Sequence, residues 1–297
     1  MKATAASMGR VPLYPGCRDE RHPGLSSWEG LEHIGPMTRS VRDAALMLSV
    51  IAGPDPRDRR SIPCNDVAWT GFGPEAAAES LRGRRIAYSP DWGYAAVDPE
   101  IRRVVADAVR VFETDLGCAV EEAHPGWDDP LGAFWALVAM ESDLTGMREM
   151  VAGRRHEVSP HLLDFLDRPW TAEQFTAAVM ARKAVVNRMW RFMQRYDLLL
   201  TPTVATPAFP VDIQGVEMIE GRMVAPAQFL CFTFPMNMTG QPAVSVPAGF
   251  TEAGLPVGLQ IVGRHLADRD VLEAAMAFEA ARPWAGRRPP LLAELGV

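Results

Sequence analysis

Histidine and cysteine are the residue types considered first as metal ligands, and the sequence has six histidines and four cysteines. His156 and His161 are five positions apart and Pro160 interrupts the turn between them, so they do not share one helix face as zinc ligands do. The cysteines are far apart and form no Cys-x-x-Cys pair. The sequence therefore predicts no metal site and indicates reduced thiols, at Cys17, Cys64, Cys118 and Cys231.

A glycine-rich segment and a serine pair could in principle serve phosphate binding or nucleophilic attack. Gly71-Phe72-Gly73 resembles a dinucleotide fingerprint only loosely, and Pro74 removes an N–H donor that a phosphate needs. Ser26 and Ser27 lack the glycine spacing of a nucleophile elbow. Cys17 has no histidine base placed beside it by the sequence. These segments read as loops and turns, and we expect no cofactor.

Lysine is scarce in this chain, which limits any mechanism that needs a lysine base. The 30 basic residues include only Lys2 and Lys183, and all the others are arginine. Lys183 falls on the polar side of a predicted helix, which indicates a solvated side chain. Neither lysine is assigned a catalytic role from its position.

Composition and charge limit the classes of molecule that this chain is expected to bind. With 30 basic and 37 acidic residues the net charge is −7, and the basic residues form no stripe, which argues against direct nucleic-acid binding. The first residues lack a sustained apolar region, and no run of eighteen apolar residues occurs, so we expect neither an export signal nor a membrane span. The expected location is cytoplasmic and the expected substrate a small organic molecule.

The elements that must position any site begin with short strands and loops over residues 1–36. A helix should follow, capped by Thr38 or Ser40 and stopped by Gly53-Pro54. A short buried strand is expected at residues 85–88. The sequence Asp98-Pro99-Glu100 then provides an N-cap, an N1 proline and an acidic first turn for a helix that ends at Gly117. A strand over 118–122 completes a βαβ unit, which predicts a partly parallel sheet.

The second half of the chain is predicted to be helical and then rich in strands. Residues 130–196 read as helix with breaks at Pro160 and Pro169. A buried strand is expected over 198–204, a helix near 226–232, strands over 243–250 and 255–263, and a final helix to about residue 282. The fold class is therefore α/β, a three-layer α/β/α sandwich around a mixed sheet, and we treat residues 1–297 as a single domain.

Two ordered blocks of motifs carry a family resemblance. The first is Glu32-His33-Ile34-Gly35-Pro36-Met37-Thr38-Arg39-Ser40, continued by Ile51-Ala52-Gly53-Pro54. The second is Leu200-Thr201-Pro202-Thr203, then Asn237-Met238-Thr239-Gly240-Gln241-Pro242, then Pro256-Val257-Gly258-Leu259-Gln260. In this order they resemble the C-terminal portion of the amidase-signature family, to which the glutamine-hydrolysing component of the glutamyl/aspartyl-tRNA amidotransferases is related. The resemblance implies an amidase-signature fold that lacks its N-terminal part.

The family resemblance implies hydrolysis of an amide C–N bond by a nucleophilic serine, a second serine in a cis peptide and a lysine. A serine hydroxyl attacks only when a base removes its proton, and the lysine must be partly buried to act as that base. The Gly-Ser-Ser-Gly-Gly-Ser type of loop occurs nowhere in the 297 residues. Lys2 matches a structural lysine of the family, so the catalytic role is not transferred to it. We therefore expect no catalytic residue here and no activity from this chain alone.

The same resemblance suggests which residues form a substrate wall. In the intact family the C-terminal half supplies sheet strands and part of the acyl pocket, so the candidates are Thr201, Pro202, Asn237, Thr239 and Gln241. The alternative for Asn237, Thr239 and Gln241 is that they satisfy backbone groups in a tight loop before a strand.

Three functional hypotheses stay open at this point. The first is an amidase polypeptide shortened at its N-terminus, with a small amide as the substrate of the intact enzyme. The second is a non-catalytic half that completes its fold with a separate N-terminal partner, or a homodimer, because a sheet without its neighbouring strands exposes edges. The third is a fragment of the glutamine-hydrolysing component of a tRNA-dependent amidotransferase.

Overall fold

The computed structural model describes residues 28, 30–54, 62–63 and 67–288. The predictions that concern Lys2, Cys17, Ser26, Ser27 and Cys64, and the strands expected over the first 27 residues, lie outside this part of the chain.

A five-stranded mixed sheet forms the centre of the described structure. Its strands are β1 (Arg85–Tyr88), β2 (Ala119–Glu122), β3 (Leu198–Pro202), β6 (Ala243–Phe250) and β7 (Pro256–Gly263), in the order β2-β1-β3-β7-β6. Strands β1, β2 and β3 are parallel, whereas β7 is antiparallel to both of its neighbours. The predicted βαβ unit and the mixed sheet are therefore confirmed.

The sheet is covered on two faces, which gives the predicted layers. A Cβ added to Gly263 of β7 would lie 2.6 Å from Val271 Cγ2, so this face packs against α9 (Asp268–Ala281). Gln260 points the other way, because side chains alternate along a strand, and its amide bonds to the Phe232 carbonyl. The strand residues Leu198, Leu199 and Leu200 are buried, as expected for a strand covered on both sides.

Two helices of the first half begin at the caps that the sequence predicts. Helix α1 (Val41–Ile51) is capped by Ser40, whose Oγ accepts from the Asp43 N–H. Helix α2 (Pro74–Leu81) follows from the Gly71–Gly73 loop. Helix α3 (Pro99–Thr114) is capped by the Asp98 carboxylate, and its apolar face, which includes Phe112, is buried. It ends three residues before Gly117.

The region over 130–196, which was predicted to be helical, contains more helix breaks than the two predicted at Pro160 and Pro169. It contains α4 (Leu131–Glu141), α5 (Leu144–Val151), a 3-10 turn (Arg155–Glu157), α6 (Pro160–Asp167) and α7 (Ala172–Phe192). The additional break after α4 has a local cause, because the Asp143 carboxylate accepts from the Gly146 N–H and caps a new helix there.

The segment between β3 and β6 differs from the prediction. A two-stranded hairpin, β4 (Met218–Ile219) and β5 (Arg222–Met223), lies in the expected loop. The expected helix near 226–232 is a 3-10 turn (Pro226–Leu230), and α8 (Phe234–Thr239) follows it. A proline lies in the first turn of each element, since a missing N–H is tolerated only there. Helix α8 ends at Gly240, whose φ of 79° is the left-handed conformation that glycine adopts without strain.

Candidate functional site

Thr201 and Pro202 lie on β3, inside the molecule. The Thr201 hydroxyl is fully buried, donates to the Pro202 carbonyl at 2.7 Å and accepts from Gln260 Nε2 at 2.9 Å. The same Gln260 amide group donates to the Phe232 carbonyl at 2.9 Å. Thr201 thus belongs to a buried polar chain that joins β3 and β7 to the residues just before α8.

The other three sequence-predicted residues lie on or just after α8. Asn237 Nδ2 donates to the Leu31 carbonyl at 2.8 Å, which ties α8 to the chain before α1. The Thr239 hydroxyl is 3.5 Å from the Met236 carbonyl of its own helix. Gln241 is buried in the short connection to β6. Asn237 and Thr239 therefore contact backbone carbonyls, and they do so from helix α8 rather than from the tight loop that the alternative interpretation expected.

The five predicted residues come from two parts of the chain. Thr201 and Pro202 are at the end of β3, and the residues of and after α8 form the second group. Gln260 links the two groups through its bond to Phe232.

A pair of hydroxyls that the sequence reasoning did not select lies at the end of β3. Thr203 Oγ1 and Ser245 Oγ are 2.7 Å apart. Ser245 is exposed and Thr203 is half-buried, so the pair faces solvent. A Cβ added to Gly258 would lie 2.6 Å from Thr203 Oγ1 and 2.8 Å from Ser245 Oγ, so this position has room only for glycine. The polar Ser245 between Val244 and Val246 was the signal available in the sequence.

A groove of about 470 Å³ includes Ser245 but not Thr203 in its lining. The Ser245 side chain points to the sheet face opposite that of Val244 and Val246, because side chains alternate along a strand. Ser245 is part of the groove wall, together with residues from β6, from the start of α1, from α9 and from the segment after α9. The wall is mainly apolar and includes Val41, Val244, Val246, Leu272 and Trp284. Apolar grooves with a few polar groups are the usual form of small-molecule sites.

The segment after α9 closes one side of the groove. Trp284 Nε1 donates to the Arg39 carbonyl at 2.9 Å, and the Arg39 guanidinium donates to the Ala285 carbonyl at 3.2 Å. These reciprocal bonds hold the chain after α9 against the residues that precede α1. The groove is therefore formed by parts of the chain that are distant in sequence.

The hydroxyl pair can bind a carbonyl or an amide, but the contacts found for it include no base. Hydroxyls donate and accept hydrogen bonds, and they become nucleophiles only when a base takes the proton. Lys183, the lysine within the described ranges, is exposed on α7. The arrangement is suited to positioning a substrate.

A serine and a histidine meet elsewhere, at the ends of β1 and β2. Ser89 Oγ and His124 Nδ1 are 2.8 Å apart, and Asp91 Oδ1 lies 4.0 Å from His124 Nε2. Ser89 is fully buried and accepts the Trp92 N–H at 3.1 Å, which fixes the turn after β1. The carboxylate is beyond hydrogen-bond distance, so these residues do not have the geometry of a hydrolytic triad.

The two described cysteines are buried free thiols. Burial raises the pKa of the Cys118 thiol to about 11, and it raises the pKa of the Cys231 thiol as well. Both thiols are therefore neutral at pH 7, and a neutral thiol is a poor nucleophile.

The described ranges hold neither a metal cluster nor a membrane span. Histidines, cysteines and carboxylates form no group of three or more there that could hold a metal ion. His156 lies in the 3-10 turn and His161 in α6. None of the helices in those same ranges has the length and apolar content needed to cross a membrane.

Comparisons with known proteins agree on one family. The family model described as Amidase matches residues 6–272. An acylamidase of Rhodococcus erythropolis is 39% identical over 86% of this chain and 53% of its own length. The A-subunit of a glutamyl-tRNA(Gln) amidotransferase, from Thermodesulfovibrio yellowstonii, is 29% identical over 98% of this chain and 63% of its own length.

A solved structure extends this agreement to the fold. The crystal structure of a bacterial aryl acylamidase of the amidase-signature family superposes with a TM-score of 0.77 at 31% identity, covering 96% of this chain and 60% of that one. The chain thus spans between about half and two thirds of the length of the proteins it matches.

Proposed function

Because the chain belongs to the amidase family, we propose that it forms the substrate-side part of an amide-hydrolysing site and hydrolyses no amide by itself. Catalysis then depends on a segment that carries the two serines and the lysine. The family resemblance implies that the serines come from a Gly/Ser-rich loop and the lysine from a segment before it, and that loop is not among the 297 residues. We further propose that residues 1–297 belong to a single domain.

The observation that carries this proposal is the solvent-facing hydroxyl pair of Thr203 and Ser245, which lies on the same sheet face as Thr201 and Gln260. Ser245 and Thr203 would hydrogen-bond the amide. A substrate held in one orientation reacts faster, because the entropy of orientation is lost on binding rather than during the chemical step.

The predicted wall residues take different roles in this proposal. Thr201 and Gln260 would support the wall from behind, since their hydrogen bonds are buried. Pro202 and Gln241 are also buried and would shape the wall without contacting the amide. Asn237 and Thr239 would hold α8 in place through backbone carbonyls.

Among the family activities we favour hydrolysis of acylamides. The acylamidase is 39% identical to this chain, whereas the amidotransferase relative is 29% identical. The proposed substrates are therefore small acyl anilides and alkyl acylamides.

The test is release of nitroaniline from 4-nitroacetanilide. The purified 297-residue chain should give no release above a buffer blank. Co-expression with the N-terminal part of the Rhodococcus erythropolis acylamidase, the part that we expect to carry the Gly/Ser-rich loop, should restore turnover. That N-terminal part alone, and the pair with its serine loop deleted, are the controls. Turnover by the 297-residue chain alone, surviving repeated purification, would refute the proposal.

A further inference from the structure

The turn formed by Trp28, Gly30 and Leu31 is held by side chains from three helices. Glu141 Oε2 at the end of α4 accepts the Gly30 N–H at 2.8 Å. Arg182 of α7 donates to the Gly30 carbonyl, and Asn237 of α8 donates to the Leu31 carbonyl at 2.8 Å. Three main-chain groups of this turn are therefore each bound by a different helix.

Further contacts make the arrangement rigid. Arg182 Nε also donates to the Met238 carbonyl at 2.9 Å, so one guanidinium joins the turn to α8. Trp28 Nε1 donates to Ser142 Oγ at 2.7 Å. A rigid guanidinium that binds two carbonyls loses less conformational freedom per hydrogen bond than a flexible ammonium does.

Space at the turn is also restricted. A Cβ added to Gly30 would lie 2.3 Å from Glu141 Oε1. Leu31 is buried, at 3% exposure, in the same core as α8. The hydrogen bonds and the close packing therefore hold the turn in one position relative to α8.

We infer that Glu141, Arg182 and Asn237 are positioning residues that fix the chain at Gly30 and Leu31 against α8, and thereby fix the position of this turn relative to the substrate wall. This inference rests on the proposed function, because alignment matters only if a catalytic segment meets that wall. None of the three residues is assigned contact with substrate. The inference gives Asn237 a role other than that of a wall residue.

The first arm of the test needs no activity. Hydrogen exchange of the peptide covering residues 28–36 is measured in the 297-residue chain. Asn237→Asp replaces the amide that donates to the Leu31 carbonyl by a carboxylate of the same shape, which can only accept. Arg182→Lys removes the guanidinium that binds the carbonyls of both Gly30 and Met238. Each should speed exchange in this peptide by about tenfold, equivalent to a free-energy change of about 1.4 kcal/mol. Arg191→Lys, an exposed change on the same helix, is the control.

The second arm uses the chain co-expressed with the acylamidase N-terminal part. Asn237→Asp should lower kcat and leave KM unchanged, since it misplaces the reacting groups without touching the groove. A raised KM with unchanged kcat would overturn the inference, because Asn237 would then contact substrate. Unchanged exchange in the first arm would also overturn it. Faster exchange with no turnover in the unmutated pair would instead reject the proposed function.

Discussion

Thr203 Oγ1 and Ser245 Oγ lie 2.7 Å apart across the Gly258 backbone, joining the end of β3 to β6 over the intervening β7. The pair exists only because Gly258 has no side chain. This relationship leads to the first prediction.

Gly258→Ala should separate the two hydroxyls and destabilise the fold by about 1–3 kcal/mol, the usual cost of forcing a methyl group into a filled space. Urea unfolding followed by circular dichroism measures the effect. Gly132→Ala in α4 is the control, because its added Cβ meets nothing within 4 Å. That substitution should stabilise by up to about 1 kcal/mol. Equal effects of the two substitutions would show that Gly258 is not constrained.

Gln260→Leu should destabilise the protein by about 1–3 kcal/mol, because it leaves the Phe232 carbonyl and the Thr201 hydroxyl with lost partners in a buried site. The midpoint of urea unfolding reports the loss. Gln194→Leu changes an exposed glutamine and should move stability by no more than about 0.5 kcal/mol. A near-neutral Gln260→Leu would mean that these two bonds contribute little.

Asp98→Ala should cost about 1 kcal/mol, since the Asp98 carboxylate accepts from the first-turn N–H groups of Glu100 and Ile101. Thermal unfolding gives the measurement. Ser159 precedes α6 without a side-chain cap bond, so Ser159→Ala serves as a control with little expected effect. The cap would be unimportant if both variants melted together.

Stability should fall as the pH rises from about 9 towards 11, and Cys118 should contribute to that fall. Burial raises the pKa of its thiol from 9.0 to about 11. Between these values the unfolded thiol loses its proton while the folded thiol keeps it, so the unfolded state binds fewer protons and is favoured by rising pH. Cys118→Ala should make the fall shallower when the free energy of unfolding is measured at several pH values. An unchanged slope contradicts the expectation.

Local signals in the sequence account for much of the fold. The caps at Ser40 and Asp98 and the strands at β1, β6 and β7 follow from residues that are adjacent or regularly spaced, and these elements were predicted closely. Such signals involve residues that lie within one or two turns of each other, so they can be recognised directly in the sequence.

The roles of individual site residues were harder to predict, because they depend on distant partners. Asn237 bonds a carbonyl about two hundred residues earlier, and any residue offers the same carbonyl. The Thr201 hydroxyl accepts a hydrogen bond from Gln260, and the position of Gln260 depends on the register of β7 against β3. The sequence shows Ser245 as a polar residue on an apolar strand, but it does not identify Thr203 as the partner of Ser245. Whether the hydroxyl pair binds substrate stays a prediction.

The position of β3 at the centre of the sheet has a consequence for synthesis. Its neighbour β1 lies roughly 110 residues earlier in the chain and its neighbour β7 roughly 60 residues later, so both pairings close long loops and form slowly. During synthesis on the ribosome, β1 and β2 emerge well before β3, which pairs with the other edge of β1. Their uncovered edge and apolar faces are then exposed in the nascent chain, so we expect aggregation to be most favoured during this interval.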